Sequence, residues 1–95
     1  MPAEHATLKC VIVRSDGRNL CDLIGQVLEA RVASADICRL NEDSHLVYTH
    51  EASVHVRDWV AAELGDGESV LVVEFETWSS CGPGVDARWL ARHGH

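Results

Sequence analysis

Cys81 is the side chain with the clearest potential for covalent chemistry, because it directly precedes a Gly-Pro-Gly loop at residues 82–84. A nucleophilic cysteine needs a neighbouring base or a helix N-terminus to activate its thiol. The sequence offers both, since a short helix is predicted after the loop and His93 lies near in sequence. A loop cysteine without a catalytic role is the simpler interpretation, and a small-molecule sensor built from residues 81–85 is a third.

The other cysteines and the histidines are not spaced like the ligands of a zinc site. None of the four cysteines belongs to a CxxC pair, and the chain has no HxH or HxxxH pair. His45, His50 and His55 are five residues apart, so the first two are expected on opposite faces of a strand. We therefore expect surface or hairpin histidines and reduced, buried cysteines at Cys10, Cys21 and Cys38.

Size and charge restrict the class of protein. The chain has 95 residues and a net charge of −7, from 15 acidic and 8 basic residues. This length predicts a single domain over residues 1–95, with frayed ends at 1–6 and 92–95. The charge disfavours non-specific nucleic-acid binding but leaves room for a local basic patch that includes Arg14. Without an apolar span or a signal core, the expected location is cytoplasmic, with no membrane partner.

Hydrophobic periodicity predicts the elements that position these side chains. Strands are predicted at residues 8–14, 36–40, 45–50 and 69–75, with helices at 18–33 and 53–64. This βαββαβ order is typical of an α+β, ferredoxin-like sandwich, with a four-stranded antiparallel sheet and two helices on one face. A short C-terminal helix is predicted around residues 85–90. Gly25, inside the first helix, suggests a close contact there.

The packing of such a sandwich favours a partner. Two helices cover one face of the sheet, and alternation along the first and last strands leaves apolar side chains on the other face as well. The apolar run at 69–75 predicts either a central, doubly covered strand or one that a partner subunit buries. We therefore expect a homodimer, formed sheet to sheet or by exchange of C-terminal segments. The expected interface residues are Arg14, Phe75, Trp78 and Cys81, whereas Trp59 and Trp89 are expected in the core.

A family resemblance extends over most of the chain. The segment from Leu46 to Leu90 contains L-V-Y-T, a Ser-capped helix with V-R-D-W-V, and the run G-D-G-E-S-V-L-V-V-E. A tryptophan, a glycine-containing loop and A-R-W-L follow. In this order the segment resembles the small SinR-like proteins, which stand near the CRISPR-associated small endoribonuclease-like family and the VapD-type toxins.

The resemblance implies a role for Asp16. In the nuclease branch of that family an aspartate closes the first strand, and two copies across the dimer axis are proposed to hold a divalent metal. Asp16 is the matching position, and two such carboxylates suit Mg²⁺, which could stabilise charge on a phosphate. This chain has Ser15 where the family has an aromatic residue, and it is acidic. Turn and helix-cap chemistry also explains an aspartate at this position.

Two functions follow as expectations. The first is a small homodimeric module that binds protein or regulates, without catalytic activity and without a cofactor. Negative charge, the apolar second face and the lack of a catalytic motif favour it. The alternative is a Mg²⁺-dependent nuclease, or a degenerate relative of one, with Asp16 of each subunit at the dimer axis.

Overall fold

The computed structural model describes residues 5–94 of the chain. The strands are β1 (Thr7–Arg14), β2 (Ile37–Asn41), β3 (Ser44–Thr49) and β4 (Ser69–Phe75), and the helices are α1 (Cys21–Glu29), α2 (Ser53–Ala61) and α3 (Ala87–Gly94). A single 3₁₀ turn at Ser34–Asp36 precedes β2. None of the helices in the described part of the chain is long and apolar enough to cross a membrane.

The four strands form one antiparallel sheet in the order β2-β3-β1-β4. This α+β arrangement confirms the predicted four-stranded antiparallel sheet and is compatible with a ferredoxin-like fold. A bulge between Arg39 and Asn41 interrupts the pairing of β2 with β3. The polar turn after β2 closes the predicted hairpin, and Asn41 Oδ1 accepts a hydrogen bond from the Asp43 amide at 2.8 Å.

The main core lies between one face of the sheet and the pair α1 and α2. Odd-numbered positions of β1 point towards these helices, so Val11 and Val13 pack with Val47 of β3. Ile24 of α1 and Val60 of α2 are fully buried in the same cluster. The alternate residues on one face of the strands therefore contact the apolar stripes of the two helices, as the sequence pattern predicts.

The opposite face of the sheet carries a second, smaller core beneath α3. Its buried members are Leu8, Leu46, Trp89 and Leu90. The prediction of a C-terminal helix is confirmed, and this helix covers part of the face that was expected to need a partner. The fraying expected from Arg92 onwards overlaps α3, which continues to Gly94, while residues 1–4 and His95 lie outside the described residues.

Three element predictions need correction. The second helix ends at Ala61 and does not reach residue 64. The first helix is shorter than 18–33, because Ser15 and Glu68 hold Arg18 in a loop and α1 begins only at Cys21. Of the two interpretations of the 69–75 run, the central strand is wrong, because β4 lies at the edge of the sheet, next to β1 alone, and burial by a partner stays a prediction. An apolar run that is covered on both faces and one that is left at an edge have the same sequence pattern, so this pattern could not decide between them.

Candidate interaction surface

The helix α3 packs on one part of its sheet face and leaves the rest exposed. We call this area the open patch and define it by Ile12, Leu71 and Val73, whose exposed fractions are 38%, 57% and 41%. Ile12 on β1 pairs with Leu71 on β4, so the three side chains form one apolar surface at the β4 edge. Exposed apolar clusters of this kind mark interaction sites more often than isolated apolar residues do.

The helix α3 is held over the other part of the same face by buried contacts, so it does not cover the open patch. Trp89 is 4% exposed, and its indole Nε1 donates a hydrogen bond to the Ala35 carbonyl at 2.9 Å. His93 stacks on Trp89 and lies between two oxygen acceptors, the Trp89 carbonyl at 2.8 Å and Asp36 Oδ1 at 2.9 Å. Both contacts are hydrogen bonds only when the imidazole carries a proton on each nitrogen.

Phe75 and Trp78, two of the predicted interface residues, belong to this covered region. Both are half-buried and pack against the cluster of Trp89 and Leu90. The Trp78 indole Nε1 is buried and has no hydrogen-bond partner among residues 5–94. The structure therefore places these two aromatic side chains within the chain's own packing, next to the open patch rather than in it.

Arg14 lies at the end of β1, beside the open patch. It is exposed and makes no ion pair within residues 5–94. Together with Asp16 it lines a cleft of about 630 Å³ whose apolar wall includes Ile12 and Leu71. The open patch is thus continuous with a polar rim, which is the usual composition of a protein interface.

Ser15 and Glu68 determine the shape of the loop that carries Asp16. Ser15 Oγ accepts hydrogen bonds from the Gly17 and Arg18 amides at 3.3 and 3.2 Å and donates one to Glu68 at 2.8 Å. Arg18 adds two bonds to the same carboxylate. These contacts and the Gly65 amide lower the pKa of Glu68 to about 2.

The helix-cap role expected for Asp16 is wrong, because α1 begins at Cys21 with Leu20 at its N-cap position and no side-chain cap, and Ser15 accepts the amide hydrogen bonds of the turn that precedes it. Asp16 is exposed and makes no side-chain hydrogen bond within the part of the chain that the structure describes. It lines both the larger cleft and a smaller one of about 380 Å³ that contains Asp66. Across residues 5–94, no three histidine, cysteine, aspartate or glutamate side chains form a group that could hold a metal.

The cysteines remain unpaired. Cys21 is buried, Cys10 and Cys38 are half-buried, and Cys81 is exposed in the loop before α3. Burial raises the pKa of the Cys10 and Cys38 thiols, and Asp86 adds to the effect at Cys38. A raised thiol pKa makes these two side chains poor nucleophiles, in agreement with the expected structural role.

His45 differs from its predicted surface position. It is 3% exposed on the helix-facing side of β3, next to a cleft of about 380 Å³ that Cys21 and Gly25 also line. Burial, with a contribution from Arg39, lowers the pKa of His45, and its Nδ1 has no hydrogen-bond partner in the described part of the chain. The signal was available in the sequence, because His45 has the same parity in the strand as Val47, which is fully buried.

The β4 edge completes the surface, and sequence reasoning did not identify it as an edge. Its seven residues include no proline or lysine, and Glu74 is its single charged residue. Proteins usually protect such edges with charges, prolines or bulges, because unpaired backbone groups attract another strand.

Comparisons of the chain with protein-family models, with curated proteins and with solved structures found no match.

Proposed function

We propose that this chain is a small ferredoxin-like module that works by binding protein and forms a homodimer through the open patch and the β4 edge. The observation that carries the proposal is the position of an apolar strand at the sheet edge, with Leu71 57% exposed. A second copy is the favoured occupant because the surface is self-complementary. The edge of β4 carries both N–H and C=O groups, so a second β4 can pair with it. The apolar side chains of the two open patches can contact each other in the same way.

The charge distribution supports the same occupant. The chain carries a net charge of −7, yet no acidic residue belongs to the open patch. Glu74 is the nearest acid on β4, and it already has Lys9 Nζ at 3.4 Å. Within the open patch and β4, two identical acidic chains therefore bring no uncompensated like charges together.

Light scattering over a range of protein concentrations tests the proposal. We expect the unaltered chain to be a dimer at high concentration and Leu71→Lys to be a monomer with an unchanged circular dichroism spectrum. Val54→Lys is the matched control, since Val54 is 45% exposed on α2 and lies outside the open patch and the β4 edge, so the substitution should leave the dimer intact. An unaltered chain that stays monomeric at high concentration would overturn the proposal.

A divalent-metal-dependent nuclease is the second candidate function, and the exposed, unbonded Asp16 carboxylate favours it. In this candidate, as the family resemblance implies, Asp16 from each of two copies would hold the metal. Labelled RNA and DNA are incubated with the protein and Mg²⁺ or Mn²⁺, and Asp16→Ala is compared with Asp66→Ala from the same cleft. Cleavage lost only in Asp16→Ala supports the nuclease, and cleavage that persists in both variants, or none at all, contradicts it.

A further inference from the structure

The direction of the backbone groups along β4 follows from one hydrogen bond on β1. The Val13 amide donates to the Asp43 carbonyl at 2.8 Å, so Val13 directs its backbone groups towards the β3 side. Because these directions alternate along a strand, Ile12 directs its groups towards β4, where Leu71 is its partner.

The same alternation applies to β4. Leu71 and Val73 bond to β1, which leaves Val70, Val72 and Glu74 with their N–H and C=O groups directed away from the sheet. These three residues are centred on Val72, which is also the midpoint of Ser69–Phe75. The free edge is therefore symmetric about one residue.

We infer that two copies pair through antiparallel β4 strands with the two-fold axis at Val72, which joins the two sheets into one. This inference rests on the proposed homodimer and specifies its register. Val72 lies opposite the partner's Val72, and Val70 lies opposite the partner's Glu74. Every outward backbone group of Val70, Val72 and Glu74 then has a partner, whereas a shift of the axis to Leu71 or Val73 leaves one of these residues beyond the paired β4 segments.

The side chains agree with this register. Leu71 lies beside the partner's Val73 on the face away from α1 and α2, so the two open patches become one apolar strip across the axis. Glu74 lies opposite an apolar residue and not opposite a second carboxylate. The pairing therefore satisfies backbone groups, apolar side chains and charge with one symmetry operation.

The register also separates this dimer from the nuclease candidate. Arg14, two residues before Asp16, pairs with Ser69 at the first end of β4. In the antiparallel pair, the partner's Ser69 lies at the opposite end of the interface, next to Phe75. The two Asp16 loops are thus at opposite ends and do not share a metal in this dimer.

Amide hydrogen exchange, read residue by residue at several protein concentrations, tests the register. We expect the amides of Val70, Val72 and Glu74 to exchange at least about tenfold more slowly in the dimer than after dilution. Leu71 and Val73 are internal controls, because their amides bond to β1 in monomer and dimer alike. A dimer in which the three outward amides stay as fast as in the monomer overturns the register and leaves the homodimer standing. A protein that is monomeric throughout overturns both.

Disulfide trapping distinguishes this register from its neighbours. In a Cys10→Ala, Cys81→Ser background, Leu71→Cys and Val73→Cys are mixed, allowed to exchange subunits and then oxidised. We expect a cross-linked dimer that contains one of each chain. Either variant alone should not cross-link, since residues diagonal across a strand pair are about 7–8 Å apart, beyond disulfide reach. Efficient cross-linking of Leu71→Cys alone would move the axis to Leu71 and overturn the inference.

Discussion

Glu68 and Arg18, which are 50 positions apart in the chain, form a two-bond ion pair that joins the loop after β1 to the turn before β4. Both bonds are 2.8 Å long, and the Glu68 side chain is only 9% exposed. The pair fixes the loop that carries Asp16, so it links the candidate surface at the end of β1 to the start of the edge strand.

This pair predicts how the protein responds to acid. Because the folded-state pKa of Glu68 lies below the ordinary 4.5, at about 2, its stabilising effect is complete above about pH 4.5 and is lost as the pH falls towards 2. We expect the urea midpoint to fall over this range, and to fall less in Glu68→Gln. Glu29→Gln, an exposed position on α1, should behave like the unaltered chain, and an equal slope in Glu68→Gln would contradict the assignment.

His45 predicts a second pH dependence, in a different range. Burial lowers its folded-state pKa below 6.5, so the unfolded chain takes up a proton first as the pH falls below that value, and stability declines. Replacement by leucine removes both the titration and the unpartnered Nδ1. We expect the melting temperature of His45→Leu to change less between about pH 7 and pH 5 than that of the unaltered chain. His50→Gln, at an exposed site, is the control, and it should retain the full change.

Trp89 predicts the stability that α3 contributes. Trp89→Ala removes a nearly fully buried ring and should lower the free energy of unfolding by ~3–5 kcal/mol. Trp89→Phe keeps most of the packing but loses the Nε1 bond to Ala35, so we expect a smaller loss than for alanine. Urea unfolding measures both variants. Equal losses in the two would show that the hydrogen bond, and not the packing, holds α3 in place.

Replacement of Gly25 by alanine is expected to stabilise the protein. A close contact was expected to explain a glycine inside α1, yet a Cβ there would meet only His45 Nε2 at 3.8 Å, an ordinary contact distance. Gly25→Ala should therefore raise the free energy of unfolding by about 0.5–1 kcal/mol, because alanine lowers the conformational entropy of the unfolded chain. Gly67→Ala is the opposite case, because Gly67 has a φ of 80° and should be destabilised by a side chain. A loss of stability in Gly25→Ala would point to a tighter approach of α1 to β3.

Much of the fold could be predicted because side-chain alternation is a local property. The predicted strand at 69–75 matches β4 at both ends, and the hairpin turn lies where its polar residues indicate. The first helix was overestimated because Leu20 and Val32 have helical spacing and are buried, although they reach the core from outside α1. Periodicity reports which side chains are buried, and a turn can bury them as well as a helix.

The candidate surface was harder to predict, because it depends on contacts between distant parts of the chain. Ser15, which accepts the amide hydrogen bonds of the turn, is itself bonded to Glu68, more than 50 positions away. The position of β4 at the edge depends on strand order, and strand order is not encoded in the pattern of any single strand. Arg14 is exposed beside the open patch, while Phe75 and Trp78 pack under α3, whose docking site the pattern did not specify.

The irregular pairing of β2 sets a limit on assembly. A strand that can recruit another strand gives an endless fibre if the far side of the sheet accepts the next molecule in turn. Here the opposite edge is β2, which is short, carries Arg39 and is distorted by the bulge before Asn41. A further strand would therefore pair poorly with it. In the proposed dimer, pairing through β4 would therefore stop at two chains and give a finite assembly in place of a fibre.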